Sequence, residues 1–436
     1  MINKQIFILH LVFCTLLRTA FTISENEDQH KNGSCLVPNN PHSGTYTVGS
    51  NPTGTVREGV YVPPLTPLIL NCQKRYKPVP PGNFLSICHN GEWLPSPAAC
   101  SPACPPVEST DTTIVNCKFL GKTLDSCKDP IDGVQAVIKC AEFYEEPGVE
   151  QFPYRRCIDG SWDRTFPQCL PVCGLKRPRG IPDPVDSNLV RRGDFPWHVG
   201  IYDAKTKSNI CGGTLISLRA VVSAAYCFSN LSNGRMYPKE NYLVATGKYF
   251  LEYHDNRDED VKYSGVNDIF FPMEYKGEIS QYESDIAVVI LNTALTPTTS
   301  VQPICVDWAS KFEYQQISGN NSGLVVGSDL TESIDSSKEF KELAISVLPF
   351  EQCFEQVPKD FQRFLTHDKI CSELSSSGQS IREGYGGGGL VQYINNRYYL
   401  RGIVSVASKI SQEGSNVYYV TYTLMSKYVD FVKQLL

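Results

Sequence analysis

The sequence predicts an all-β protein, and three observations predict it. Short runs of β-branched and aromatic residues, separated by Gly, Asn and Pro turns, fill the C-terminal half. The N-terminal third is dense in cysteine and contains an internal repeat. Only KYVDFVKQLL, from Lys427 to the end, has helical periodicity, with Tyr428, Val432 and Leu435 or Leu436 on one face. The bulk numbers agree with a globular chain of two or three domains: 436 residues, 41% hydrophobic and 20% charged. A formal net charge of −6 gives no reason to expect nucleic acid or an anionic membrane as partner.

The first element reads as a signal peptide over residues 1–22. Lys4 precedes the apolar run Ile6 to Leu17, and Ala20 and Thr22 place small residues before a cleavage point. The run is short for a bilayer span and His10 interrupts it, and no later stretch is long and apolar enough for a membrane helix. Removing this segment takes Cys14 away from 17 cysteines and leaves an even number. An even number in a secreted chain implies a disulfide framework. Zinc is poorly served, since no CxxC pair occurs and the seven histidines are scattered. The reading carries no metal and no cofactor.

The repeat comes next. Cys88-HNGEWLPSPAA-Cys100 and Cys157-IDGSWDRTFPQ-Cys169 share a Gly-x-Trp centre and the same cysteine separation, with Cys35 and Cys72 upstream in one unit and Cys104 and Cys140 in the other. Units of about 65 residues have marginal cores and normally need staples. Trp93 and Trp162 are expected as the main buried aromatic of each core. These units, 35–100 and 104–169, resemble complement control, or sushi, modules. That resemblance implies the pairs Cys35–Cys88, Cys72–Cys100, Cys104–Cys157 and Cys140–Cys169. Cys117 and Cys127 then close a short extra loop in the second unit. Each bridge contributes roughly 2–4 kcal/mol.

A linker rich in Pro, Arg and Asp is read over 170–192. Beyond it, GLVVGS at Gly323 reads as a strand. LVQYI and YYLRGIVSV around Asn395-Asn396 read as a hairpin. Five ordered motifs in residues 193–436 then carry a second resemblance: GDFPWHV at Gly193, CGGTLIS at Cys211, VVSAAYC ending at Cys227, SDIAVVIL at Ser284 and EGYGGGGL at Glu383. This segment resembles the chymotrypsin-like serine proteases. The resemblance implies a double β-barrel with a C-terminal helix and the bridges Cys211–Cys227, Cys353–Cys371 and Cys173–Cys305. The whole arrangement is similar to the modular serine proteases of arthropod cascades.

The family's chemistry needs a serine hydroxyl, a histidine to take its proton and an aspartate to orient that histidine. By resemblance these positions are Gly386, Tyr226 and Asp285. Glycine offers no nucleophile. Tyrosine, with a reference pKa of about 10, is no base near neutrality and has no second ring nitrogen. The backbone N–H groups of Gly384 and Gly386 remain as remnants of an oxyanion hole. The acid that receives the family's new N-terminus is Tyr385 here, and the region of that terminus reads PVDSN from Pro184. Arg382 stands in place of a cysteine beside the specificity pocket. The triad is therefore read as degenerate, with Asp285 now structural and expected to accept a hydrogen bond from the Tyr226 hydroxyl.

Rival readings follow from particular letters. GYGGGG fits a dinucleotide-loop pattern, but a hairpin follows it where a helix is required. Ser375, Ser376, Ser377 or Ser380 with His198, His254 or His367 is the substitute nucleophile and base set. The acidic run DNRDED from Asp255 lies in the family's calcium-loop region, and Lys248 stands where an acidic ligand is wanted, so it reads as a solvated loop. Asn32, Asn230 and Asn320 open Asn-x-Ser sequons for glycosylation. The sequence thus points to a secreted, extracellular, non-catalytic protease homologue, a cofactor or adaptor in an innate immune cascade. Its implied partners are other secreted proteins, cascade proteases or recognition proteins. The alternatives are an active serine endopeptidase of the modular type and a sushi-mediated adhesion or matrix-binding protein.

Overall fold

The computed structural model describes residues 33–49, 56–146, 154–176, 193–314, 322–327, 339–375, 385–412 and 415–436. They fall into two compact units, Met1–Leu170 and Pro171–Leu436.

In the first unit, a four-stranded antiparallel sheet runs in the order Gly44–Val48, Pro67–Cys72, Leu85–His89, Glu92–Leu94. Strict alternation along Leu85–His89 buries Ser86 and Cys88 and turns Leu85 and Ile87 outward. A five-stranded sheet follows, ordered Lys122–Thr123, Thr113–Phe119, Gln135–Cys140, Tyr154–Ile158, Ser161–Trp162. Bridges Cys35–Cys88 and Cys72–Cys100 close the first half, and Cys104–Cys157, Cys140–Cys169 and Cys117–Cys127 the second. The cores are small, and cysteine sulfur fills much of them: Cys35 and Cys88 sit with Val37, Leu68 and Leu70, while Cys104, Cys117 and Cys157 sit with Ile131 and Val134. The tryptophans depart from expectation. Trp93 and Trp162 are only partly buried, because each indole N–H reaches out to a carbonyl, Leu36 O at 2.7 Å and Pro105 O at 2.9 Å.

The second unit holds two closed six-stranded antiparallel barrels. The first orders His198–Asp203, Asn209–Ser217, Ala220–Ser223, Ala287–Leu291, Lys262–Phe270 and Tyr242–Thr246, closing on its first strand. The second orders Ser322–Gly327, Lys341–Leu348, Lys369–Ser375, Ser415–Leu424, Arg397–Gln412 and Gly389–Ile394. Asn395 and Asn396 turn the last hairpin with φ of 48° and 64°, the left-handed pair that two-residue turns need. One apolar core runs between the barrels, joining Val222, Ile286 and Val288 of the first to Val391, Leu400 and Ile403 of the second.

Two expectations need correction. The C-terminal helix, Val429–Lys433, is not alone: Phe350–Gln356 and Lys359–Gln362 are also helical. Each opens directly after a proline and is too short to show a 3.6-residue period. The linker also begins later than the sequence indicates. Residues 171–176 are fastened to the second unit by Cys173–Cys305 and by backbone bonds of Gly174 to Pro303 and Tyr398. Lys176 Nζ adds an ion pair to Glu342 at 3.1 Å and lies 3.7 Å above the Phe195 ring.

Candidate functional site

Three turns meet where the barrels join. Ala225–Phe228 is a single 3₁₀ turn leaving Ala220–Ser223, pinned from behind by Cys211–Cys227. Asp285 precedes the strand Ala287–Leu291, and Gly386–Gly388 precede Gly389–Ile394. Backbone bonds lock the glycine turn in place: Gly212 N–H donates to Gly386 O at 2.8 Å, Gly387 N–H to Val404 O at 2.9 Å, and Gly388 N–H to Tyr385 O at 3.0 Å. Gly387 has φ +77° and a Cβ there would strike Gly212 O, so this position admits only glycine.

Tyr226 and Gly386 are complementary in shape. A Cβ built on Gly386 overlaps the Tyr226 hydroxyl oxygen and comes within 2.9 Å of its ring carbon Cζ. The phenol thus occupies the space that a side chain at 386 would need. Burial, reinforced by the Asp285 charge, pushes the Tyr226 hydroxyl well above the usual phenol range. The phenol therefore stays protonated near neutral pH. The Gly386 N–H donates to no described residue.

Asp285 is fully buried. The hydrogen bond expected from the Tyr226 hydroxyl is not there. The Tyr226 backbone N–H donates to Oδ1 instead, at 2.9 Å, because the hydroxyl end of the ring points at residue 386. Ser405 Oγ donates to Oδ2 at 2.5 Å, and Thr423 Oγ1 to the Asp285 carbonyl at 2.9 Å. Burial raises the carboxyl above its ordinary value, opposed by Lys369, Ser405 and the N–H groups of Tyr226 and Ala225. Asp285 therefore clamps a first-barrel turn to two second-barrel strands. Nearby, Asp368 accepts from Ser284 N–H at 3.0 Å, Thr366 Oγ1 at 2.5 Å and the Tyr428 hydroxyl at 2.7 Å. Burial alone would raise Asp368. Lys369 and these donors outweigh it and hold the carboxyl below its usual value. Ser405, Lys369 and Asp368 were not singled out from the sequence, since no local motif marks them. The one available signal was a lysine inside the strand-like run DKIC.

Tyr385 lies in the second-barrel core with Val325, Leu343, Ile345 and Leu390, 2% exposed. Gly327 makes room for it: a Cβ at 327 would collide with the Tyr385 ring. Gly384, Arg382, Ser376, Ser377, Ser380, Asn32 and Asn320 lie outside the described residues. Ser375 ends the strand Lys369–Ser375. The three histidines are dispersed. His198 is buried edge-on to Phe340, His254 packs on Tyr253 and Tyr263, and His367 pairs with Glu283 at 3.0 Å on the surface. None is among the hydrogen-bond partners of Asp285. A cleft of about 640 Å³ opens beside Tyr226, walled by Leu231, Tyr282, Phe364, Ser405 and Val406.

The acidic run at 255–260 is not simply solvated. The Asp258 carboxylate is fully buried against Lys248 Nζ at 2.7 Å, and it accepts from Tyr249 N–H at 2.8 Å. Lys248 also donates to Tyr253 O at 3.2 Å. The ammonium holds this loop from inside. No cluster of three or more metal-ligating side chains occurs among the described residues.

The comparisons agree with this architecture. The family model for trypsin matches residues 185–432. Clotting factor C of Tachypleus tridentatus is 26% identical over 314 residues, 69% of this chain and 30% of that protein. Serine protease gd of Drosophila melanogaster is 28% identical over 278 residues, 56% of this chain and 51% of that one. Modular serine protease of Drosophila melanogaster is 24% identical over 361 residues, 78% of this chain and 55% of that one. The chain spans between 30% and 55% of the length of these three relatives.

Proposed function

Because the chain belongs to the trypsin family, we propose that it is a secreted, non-catalytic member, which binds other secreted proteins in an extracellular protease cascade. The observation that carries this reading is the fit of Tyr226 to Gly386. The nucleophile position has no side chain, and the space for one is taken by a phenol that cannot act as base. Loss of such a catalytic unit costs on the order of 10⁶ in turnover in a well-studied serine protease. Tyr385, packed in an apolar core, also offers no carboxylate to a new N-terminus. In this reading the two cysteine-stapled halves of residues 35–169 are sushi-type modules, and with the barrel they provide binding surfaces. Relatives named as clotting factors and as a modular serine protease support a cascade setting.

The test has two arms. Purified secreted protein is treated with a fluorophosphonate probe and a panel of peptide substrates, and the same protein serves as bait in its native fluid. The reading expects no adduct, no turnover and recovery of cascade proteases or their recognition proteins. A covalent adduct on a serine of this chain would overturn the non-catalytic part. Recovery of matrix or microbial-surface components on residues 35–169, with no protease on the barrel, would overturn the cascade part.

A further inference from the structure

We propose that Asn230 carries an N-linked glycan whose inner sugars lie in the groove beside it and stand at the mouth of the cleft at Tyr226. The inference rests on the secreted reading above, since only a chain entering the secretory route meets the glycosylating enzyme. Asn230-Leu231-Ser232 is a sequon, and the fold delivers it as one should be delivered. It opens an exposed turn held by backbone bonds, Asn230 N–H to Arg235 O at 2.9 Å and Gly234 N–H to Asn230 O at 2.8 Å. Leu231 is 46% exposed, and Ser232 is exposed too. The Asn230 side chain is also poised: Oδ1 is occupied by Ser232 N–H at 3.1 Å, while Nδ2 donates to no described residue. Transfer requires an oligosaccharide activated as a polyprenyl pyrophosphate. Nδ2 forms the new C–N bond to the anomeric carbon, the anomeric C–O bond breaks, the polyprenyl pyrophosphate leaves with the electron pair, and the amide loses one proton.

The surroundings say where the sugars rest. Asn230 lines a groove of about 620 Å³ with Arg235, Met236, Tyr237, Lys239 and Asp268. Tyr237 and Met236 are 45% and 40% exposed, giving flat apolar surface for sugar C–H faces, and the charged residues give hydrogen-bond partners for hydroxyls. The next residue, Leu231, lines the other cleft with Tyr226, so a glycan rooted at 230 sits between the two openings.

The experiment expresses the full chain in insect cells as wild type, Asn230→Gln and Ser232→Ala. Glycopeptide mapping with peptide-N-glycosidase is expected to convert residue 230 of the wild type to aspartate, and to find no glycan at 230 in either variant. Ser232→Ala keeps the amide, so its loss of glycan reports use of the sequon. Tryptic cleavage after Arg235, which lines the groove and is exposed, is expected to be slower in the native protein with the glycan than without it. Enzymatic removal of the glycan from folded wild type supplies the comparison if a variant misfolds. Unmodified Asn230 on protein recovered from the medium overturns the site. A glycan with unchanged cleavage at Arg235 overturns its seat in the groove. A chain that never reaches the medium sinks instead the secreted reading on which the proposal stands.

Discussion

Replacing Lys248 by methionine tests what holds the loop after Gly247. Methionine keeps the length and apolar stem of lysine and removes only the ammonium. In the structure the Lys248 side chain is 1% exposed and that of its partner Asp258 0% exposed, with Nζ and Oδ2 2.7 Å apart. The substitution therefore leaves a buried carboxylate held by the Tyr249 N–H at 2.8 Å. Breaking a buried pair from one side costs about 3–5 kcal/mol, because the surviving charge has lost both water and partner. At about 2–4 °C per kcal/mol for a domain of this size, Tm of the barrel unit should fall by about 6–20 °C. The double variant Lys248→Met, Asp258→Asn removes both charges while keeping an acceptor for Tyr249 N–H, so it should recover at least half of the loss. Calorimetry of the full chain reads the transition, and hydrogen exchange over residues 247–263 locates it. Adding or chelating calcium should leave the wild-type Tm unmoved, since the loop's internal cation is covalent. A Lys248→Met loss below about 1 kcal/mol, or a double variant no better than the single, would refute the buried-pair argument.

Three other outcomes follow from the same structure. Burial pushes the His198 imidazole down to about 4. The unfolded chain then binds more protons between pH 6.5 and 4, so stability is complete above that window and falls by about 3 kcal/mol as pH drops through it. Urea midpoints at pH 7.5 and 4.5 should show this loss in wild type and a smaller one in His198→Gln. Gly386→Ser should destabilise by about 1–3 kcal/mol through overlap with the Tyr226 hydroxyl, and the cost should shrink in a Tyr226→Ala background. A double-mutant cycle in guanidinium measures it, and equal costs in both backgrounds would contradict the overlap. Finally, a chain nicked by trypsin between residues 177 and 192 should run as one band without reductant and as two with it, because Cys173–Cys305 joins the pieces.

The parts of this molecule that were legible in advance are those with a short-range code. Asn395-Asn396 between two apolar runs specifies a hairpin through backbone dihedrals alone. The cysteine and Gly-x-Trp spacings mark two stapled halves because small cores need such covalent help. The vacancy at 386 and the tyrosine at 226 could be read as letters. Their mutual fit could not, since it depends on where two distant turns meet. The expected bond from the Tyr226 hydroxyl fails for the same reason: one residue offers both a hydroxyl and a backbone N–H, and only packing decides which one bonds Asp285. Lys248 and Asp258 looked like ordinary surface charges because a sequence shows their signs but not their burial. The short helices after Pro349 and Pro358 lacked the two turns over which a helical period becomes visible.

The interlock of residues 226 and 386 gives this fold a ratchet. A serine placed at 386 meets an oxygen already there, and a smaller residue placed at 226 opens a hole beside a glycine. Each change made alone is uphill. A substitution at either position is therefore felt at the other, through nothing more than contact.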